Sequence, residues 1–214
     1  MTPALPFLIL HIAAGFAALA AGTVAILSRK GGPTHIRAGT VFYWGMVGTG
    51  ASALLLALLR PNTFLFLIGV LSLYFVHAGR RAIAAGVPDW RDHGASIAML
   101  LAGAVMIVLG ALGIAGIDLV PLPKGLAPVL VAFGGIGMAL SAVDLRDYRR
   151  ELAWPDKVAR HLQRMTAGYI AAATAFIVVN GGFLPPLVRW LGPTALLVPV
   201  IVWYSTRLRR TGAV

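Results

Sequence analysis

Five histidines (His11, His35, His77, His93 and His161) are the side chains of this 214-residue chain best able to bind a metal or haem, or to carry a proton. Imidazole suits zinc, iron and haem, and it titrates closest to neutrality. Their spacing contains no His-x-x-x-His and no His-Glu-x-x-His, so no single helix turn presents two of them as ligands. A shared site needs convergence from separate segments. His35, His77, His161 and Asp144 form the expected divalent-metal set, with a His77–Asp144 hydrogen bond where their helices meet. His35, His161 and His11, with Arg37, Arg160 and Arg164, form the expected set for a larger cofactor. The arginines would hold its anionic groups, such as haem propionates or a quinone head. There is no cysteine, hence no thiolate nucleophile, disulfide or Cys metal site. Gly-rich phosphate loops, Gly-x-Ser-x-Gly elbows and carboxylate pairs suited to glycoside chemistry are all missing from the sequence.

The elements that must position these residues are read from composition. Hydrophobic residues make up 59% of the chain and charged residues only 12%, and mean hydropathy is +0.86. Soluble domains carry about 25% charged residues, and a soluble chain of this size has no way to hide so much apolar surface. The chain reads as one all-α integral membrane domain, residues 1–214, with the lipid bilayer as its solvent. A formal net charge of +11 would point to nucleic acid in a soluble protein. In a membrane protein it points instead to cationic cytoplasmic loops in contact with anionic lipid headgroups, and no nucleic-acid partner is expected.

Seven apolar segments are predicted: Leu5–Leu27, Ala38–Leu59, Thr63–Ala84, Gly94–Gly116, Leu126–Val143, Val158–Phe183 and Leu191–Tyr204. The last is short between Arg189 and Arg207 and is interrupted by Pro199, so a re-entrant or interfacial segment is the alternative. The first lacks a basic stretch before its apolar run and reads as a retained helix, not a signal peptide. Seven spans with the N-terminus outside put 15 of the 18 basic residues on the inner side and leave Arg60, Lys124 and Arg189 outside. Six spans would move Arg207, Arg209 and Arg210 outside. The positive-inside rule therefore favours a seven-helix bundle, N-terminus out and C-terminus in, in the cell inner membrane.

That topology sets depth. His11 falls in the outer half, with Thr49, Ser52 and Asn180 at its level as hydrogen-bonding neighbours. His35, His77, His93 and His161 fall on the inner side with Asp144. Small residues line the first span (Gly15, Ala18, Gly22, Ala25), the second (Gly39, Gly50) and the sixth (Gly168, Ala171, Ala172, Ala175), marking faces where helices approach closely. Gly134, Gly135 and Gly137 are a candidate break in span five. Plain accounts compete throughout: polar clamps for His11 and His77, headgroup contact for His35, His93 and His161, and a solvated basic loop for 145–165.

Two stretches carry a resemblance. Residues 10–46, LHIAAGFAALAAGTVAILSRKGGPTHIRAGTVFYWGM, hold a His-Ile-x-x-Gly helix, a Lys-Gly-Gly loop and a His-x-Arg-x-Gly start to the second helix. Residues 159–176, ARHLQRMTAGYIAAATAF, hold an Arg-His-Leu-x-Arg-Met helix. Together they resemble bacterial multi-pass proteins near the family called domain of unknown function 2306. The matching positions are His11, Gly15, Lys30, Gly31, Gly32, His35, Arg37, Gly39, Arg160, His161, Arg164 and Met165. Ile36 and Gln163 depart from the pattern, and His77 and His93 lie outside it. The resemblance implies an integral membrane protein, supplies no activity, and singles out His11, His35 and His161.

Three functions follow as expectations. The first is a membrane redox or cofactor protein with a b-type haem or metal on cytoplasmic-side histidines. The second is a transporter or lipid-handling protein with a basic inner pocket of His35, Arg37, Arg160 and Arg164. The third is a metal-dependent membrane hydrolase using the His/Asp set.

Overall fold

A computed structural model describes residues 4–84, 87–117 and 119–211. All secondary structure among them is helical. The helices are α1 (Leu5–Leu27), α2 (Pro33–Leu59), α3 (Thr63–Arg81), α4 (Trp90–Ile114), α5 (Ala127–Asp147), α6 (Trp154–Asn180) and α7 (Pro186–Thr211). All seven are long and apolar enough to cross a membrane. At 1.5 Å rise per residue they run about 28–40 Å, against a hydrocarbon core of about 30 Å. Ile9, Leu58, Leu101 and Val200 lie exposed on their outward faces, an apolar surface suited to lipid.

Helix ends follow local chemistry more than hydropathy. Proline occupies the first turn of α1, α2, α5 and α6, where its missing N–H is one the helix could not use anyway. Asn62 caps α3 by accepting from the Leu65 N–H. Asp89 and Asp92 cap each other's backbone in a reciprocal box at α4. These caps start α2, α4 and α6 about a turn earlier than the apolar runs do. Segment seven is a full helix with Pro193 and Pro199 inside it, long and apolar enough to cross a membrane. It runs past the apolar segment at both ends, through Arg189 on one side and through Arg207, Arg209 and Arg210 on the other.

Helices α1 and α2, α4 and α5, and α6 and α7 pack as hairpins, and α3 touches α2, α4, α5 and α6. One core gathers Phe64, Leu71, Phe75, Met99, Met106 and Leu130 between α3, α4 and α5. A second joins Ala18, Phe42, Met46 and Val76 between α1, α2 and α3. The expected small-residue faces bury Ala18, Gly22, Ala25, Gly50 and Gly168, whereas Ala175 is exposed. The glycines of α5 do not break it. A Cβ on Gly134 would lie 2.7 Å from the Gly103 carbonyl of α4, so they form a seam between helices. The α1–α2, α3–α4 and α5–α6 connections meet at one end of the bundle. The C-terminal end of α7 joins them through an Arg209–Asp156 ion pair, 3.3 Å.

Candidate functional site at the basic end

Asp144 and Asp147 stand one turn apart on α5, and Arg160 and Arg164 one turn apart on α6. The two pairs interlock. Arg164 Nη2 donates to Asp144 Oδ1 (2.9 Å) and to the Leu140 carbonyl (3.0 Å), and its Nε donates to Asp144 Oδ2 (3.3 Å). Arg160 Nε lies 3.5 Å from Asp144 Oδ1, and its Nη2 donates to Asp147. From α3 the Tyr74 hydroxyl donates to Asp144 Oδ2. Asp144 is 0% and Arg164 1% exposed. A lone charge at the centre of a bilayer helix costs about 2.5–3.5 kcal/mol on insertion scales, and opposite charges with shared hydrogen bonds offset that. Arg164 Nη1 is buried with no hydrogen-bond partner among the described residues. Both Asp144 oxygens are engaged by protein donors, so this carboxylate is closed to a metal.

His77 does not meet Asp144. Its Nε2 lies 3.2 Å from Asp92 Oδ1 but off the hydrogen-bond direction. Asp92 is buried and chiefly held by Arg81, whose Nε (2.8 Å) and Nη2 (2.8 Å) form a fork on its two oxygens. His77 and Arg81 share a face of α3 one turn apart, and that face looks at the start of α4, not at α5. Tyr74, a turn deeper, takes the place beside Asp144. His93 donates from Nδ1 to the Asp89 carbonyl (2.8 Å) and packs on Tyr148, centroids 5.0 Å apart. Burial pushes the Tyr148 phenol above its ordinary pKa. Among the described residues no three His, Asp or Glu converge as a metal site.

His35 and His161 do come together. Their ring centroids are 6.4 Å apart at 73°. Each is anchored in the same way. His35 Nδ1 donates to the Ala25 carbonyl (3.0 Å), and His161 Nδ1 donates to the Gly79 carbonyl (2.8 Å). Ala25 and Gly79 lie in the last turns of α1 and α3, whose carbonyls have run out of helical partners. A carbonyl can only accept, so Nδ1 carries the proton in both rings. In the neutral rings Nε2 then keeps the lone pair, and neither Nε2 has a hydrogen-bond partner among the described residues.

The sequence shapes both anchors. Gly31 has φ +73°, a left-handed turn that glycine adopts without strain, and it folds the loop back over the end of α1. Ser28 and Lys30 donate to the same Ala25 carbonyl as His35, and Lys30 also to that of Ile26. A cation there suits the negative end of the helix dipole. Burial lowers the Lys30 pKa. On the other side, a Cβ on Gly79 would lie 2.9 Å from the backbone nitrogen of Met165. Only glycine lets α3 and α6 approach so closely, and that approach delivers the Gly79 carbonyl to His161.

The remaining expected residues stand apart. His11 Nδ1 donates to the Thr49 carbonyl (3.0 Å) and lies 3.3 Å from Ser52 Oγ, an α1–α2 clamp. Asn180 bonds within its own helix, to the Phe176 carbonyl. Arg37 is exposed, with no ion pair among the described residues. Arg160 and Arg164 are committed to Asp144 and Asp147. The expected pocket of His35, Arg37, Arg160 and Arg164 therefore does not form, and of these four only Arg160 lines the cavity on the α4 side of α3.

Tyr74 and the Arg81–Asp92 fork were not foreseen from sequence. The Asp144/Asp147 and Arg160/Arg164 spacings did carry a signal, since each pair repeats at one helical turn. No protein-family model, curated protein or solved structure matches this chain.

Proposed function

We propose that this is a multi-pass inner-membrane protein, N-terminus out and C-terminus in, whose His35–His161 pair holds a cofactor on the cytoplasmic side, best a b-type haem in a redox role. One observation carries the reading. Two histidines from different helices lie 6.4 Å apart, each with Nδ1–H tied to a backbone carbonyl and Nε2 unpartnered. Ligating histidines are typically held this way, the second nitrogen fixing tautomer and ring orientation. Two metal–nitrogen bonds of about 2.0 Å, added to the radii of the two rings, span a separation of this order.

The donor set favours haem over a bare divalent ion. A catalytic zinc takes three protein ligands, and here Asp144 and His77 are engaged elsewhere. Haem would ask fewer ligands of the protein, and His35 and His161 would be the residues to hold it. Arg37, exposed and near His35 in the chain, would be the cation to meet its propionates. The chemistry the group supplies when bound is one-electron transfer. The chain's own part is to orient two imidazoles and to hold them at the end of the bundle. The resemblance to the domain of unknown function 2306 family rests partly on these same two histidines.

The test is the visible spectrum and metal content of protein purified in detergent from haem-replete cells. A Soret band that disappears in His35→Ala and in His161→Ala is expected. A colourless protein that stays colourless when haem is supplied overturns the reading.

A further inference from the structure

We propose that a second site lies on the opposite side of α3 from the histidine pair, and that it binds a phosphate group carried on an apolar body. A cavity of about 630 Å³ opens between the ends of α3 and α5 and the starts of α4 and α6. That volume falls in the range of small-molecule sites, about 300–1,000 Å³. Five cations line it (Arg81, Arg149, Arg150, Lys157 and Arg160) against three acids, Asp92, Asp147 and Glu151. Five minus three leaves a net charge of +2 at the mouth.

The acids are not spread evenly through it. Asp92 and Asp147 line the cavity but are almost fully buried, and each is paired with arginines. Asp92 takes the Arg81 fork, and Asp147 takes Arg150 (2.6 Å) and Arg160. The guanidinium groups are thereby held in fixed orientations, with N–H groups left over. Arg149 and Lys157 have no ion pair among the described residues. Preset guanidinium forks beside unpaired cations suit the oxygens of a phosphate. Ala78, Ala82, Val87, Pro88 and Leu152 supply an apolar wall next to the cations. A phosphate on an apolar body satisfies both halves, whether it is the headgroup of an anionic phospholipid or a soluble phosphate ester.

This proposal stands apart from the haem reading, because the cavity includes neither His35 nor His161. The test is a thermal-shift titration of the full chain in uncharged detergent. The probes are a short-chain phosphatidylglycerol and, separately, glycerol phosphate. Arg149→Gln combined with Lys157→Gln removes two lining charges that make no structural ion pair. Arg29→Gln combined with Arg210→Gln removes the same charge elsewhere at this end. The expected result is a saturable rise in Tm whose half-point moves about tenfold or more in the first variant and stays within about twofold in the second. Saturation by phosphatidylglycerol alone assigns a lipid headgroup, and saturation by glycerol phosphate assigns a soluble ester. No saturable shift with either probe, or equal weakening in both variants, overturns the site.

Discussion

At the scale of single residues, Asp144 and Gly79 carry the most consequence. Asp144 is the one carboxylate that answers Arg164, Arg160 and Tyr74 together. Asp144→Asn keeps the shape but leaves Arg164 charged in a buried place. Breaking one partner of such a pair costs about 3–5 kcal/mol. The expected outcome is a loss of that order in denaturant or thermal unfolding in detergent. Tyr74→Phe removes one neutral donor and should cost about 1–2 kcal/mol. If Asp144→Asn is no worse than Tyr74→Phe, the charge network does not hold α5 and α6 as described. Gly79→Ala tests the histidine anchor, since its Cβ meets the Met165 backbone nitrogen as well as the Met165 side chain, and the backbone cannot swing aside. It should push α3 and α6 apart, costing about 1–3 kcal/mol, and loosen His161 from its carbonyl. That second effect separates it from an ordinary overpacking change, and the environment of His161 by NMR reads it.

At the scale of elements, helix pairing rests on glycine seams. Gly103 and Gly134 face each other across α4 and α5, each with a carbonyl within 3 Å of the other's would-be Cβ. Gly103→Leu is expected to separate this hairpin and lower Tm. Gly94→Leu, where nothing lies within 4 Å of the added Cβ, should leave Tm nearly unchanged. Equal effects from the two would remove the seam from the account. The same elements mark where the sequence was readable. All seven helices were legible because a span needs a long apolar run and little else. Their ends were not, because Pro33, Asp89 and Pro155 begin helices in polar stretches that hydropathy passes over. Shared depth put His35 and His161 at one expected level, and in the fold their rings lie side by side. His77 was misassigned to Asp144 because depth says nothing about which helices are neighbours. Its partner Asp92 stands in the cap of the next helix, where the sequence reads as a loop. Arg37 was grouped with Arg160 and Arg164 for the same reason.

At the scale of the whole molecule, the seven helices alternate in direction and gather 15 of the 18 basic residues at one end, leaving Arg60, Lys124 and Arg189 at the other. That asymmetry predicts a cytoplasmic basic end. A reporter fused to the C-terminus should read cytoplasmic, and one placed in the α2–α3 connection at Asn62 should read periplasmic; the reverse pattern would invert the topology. In the proposed orientation the His35–His161 pair would face the cytoplasm, where an electron donor or acceptor could reach it, while His11 clamps α1 to α2. The central claim is that these two histidines act together on one cofactor. Hemin titration of the detergent-purified chain tests it most directly. The account predicts saturation at a single equivalent with a low-spin, two-histidine spectrum, lost in His35→Ala and in His161→Ala and kept in His11→Ala. Binding that is absent, or that survives unchanged in both single variants, contradicts it.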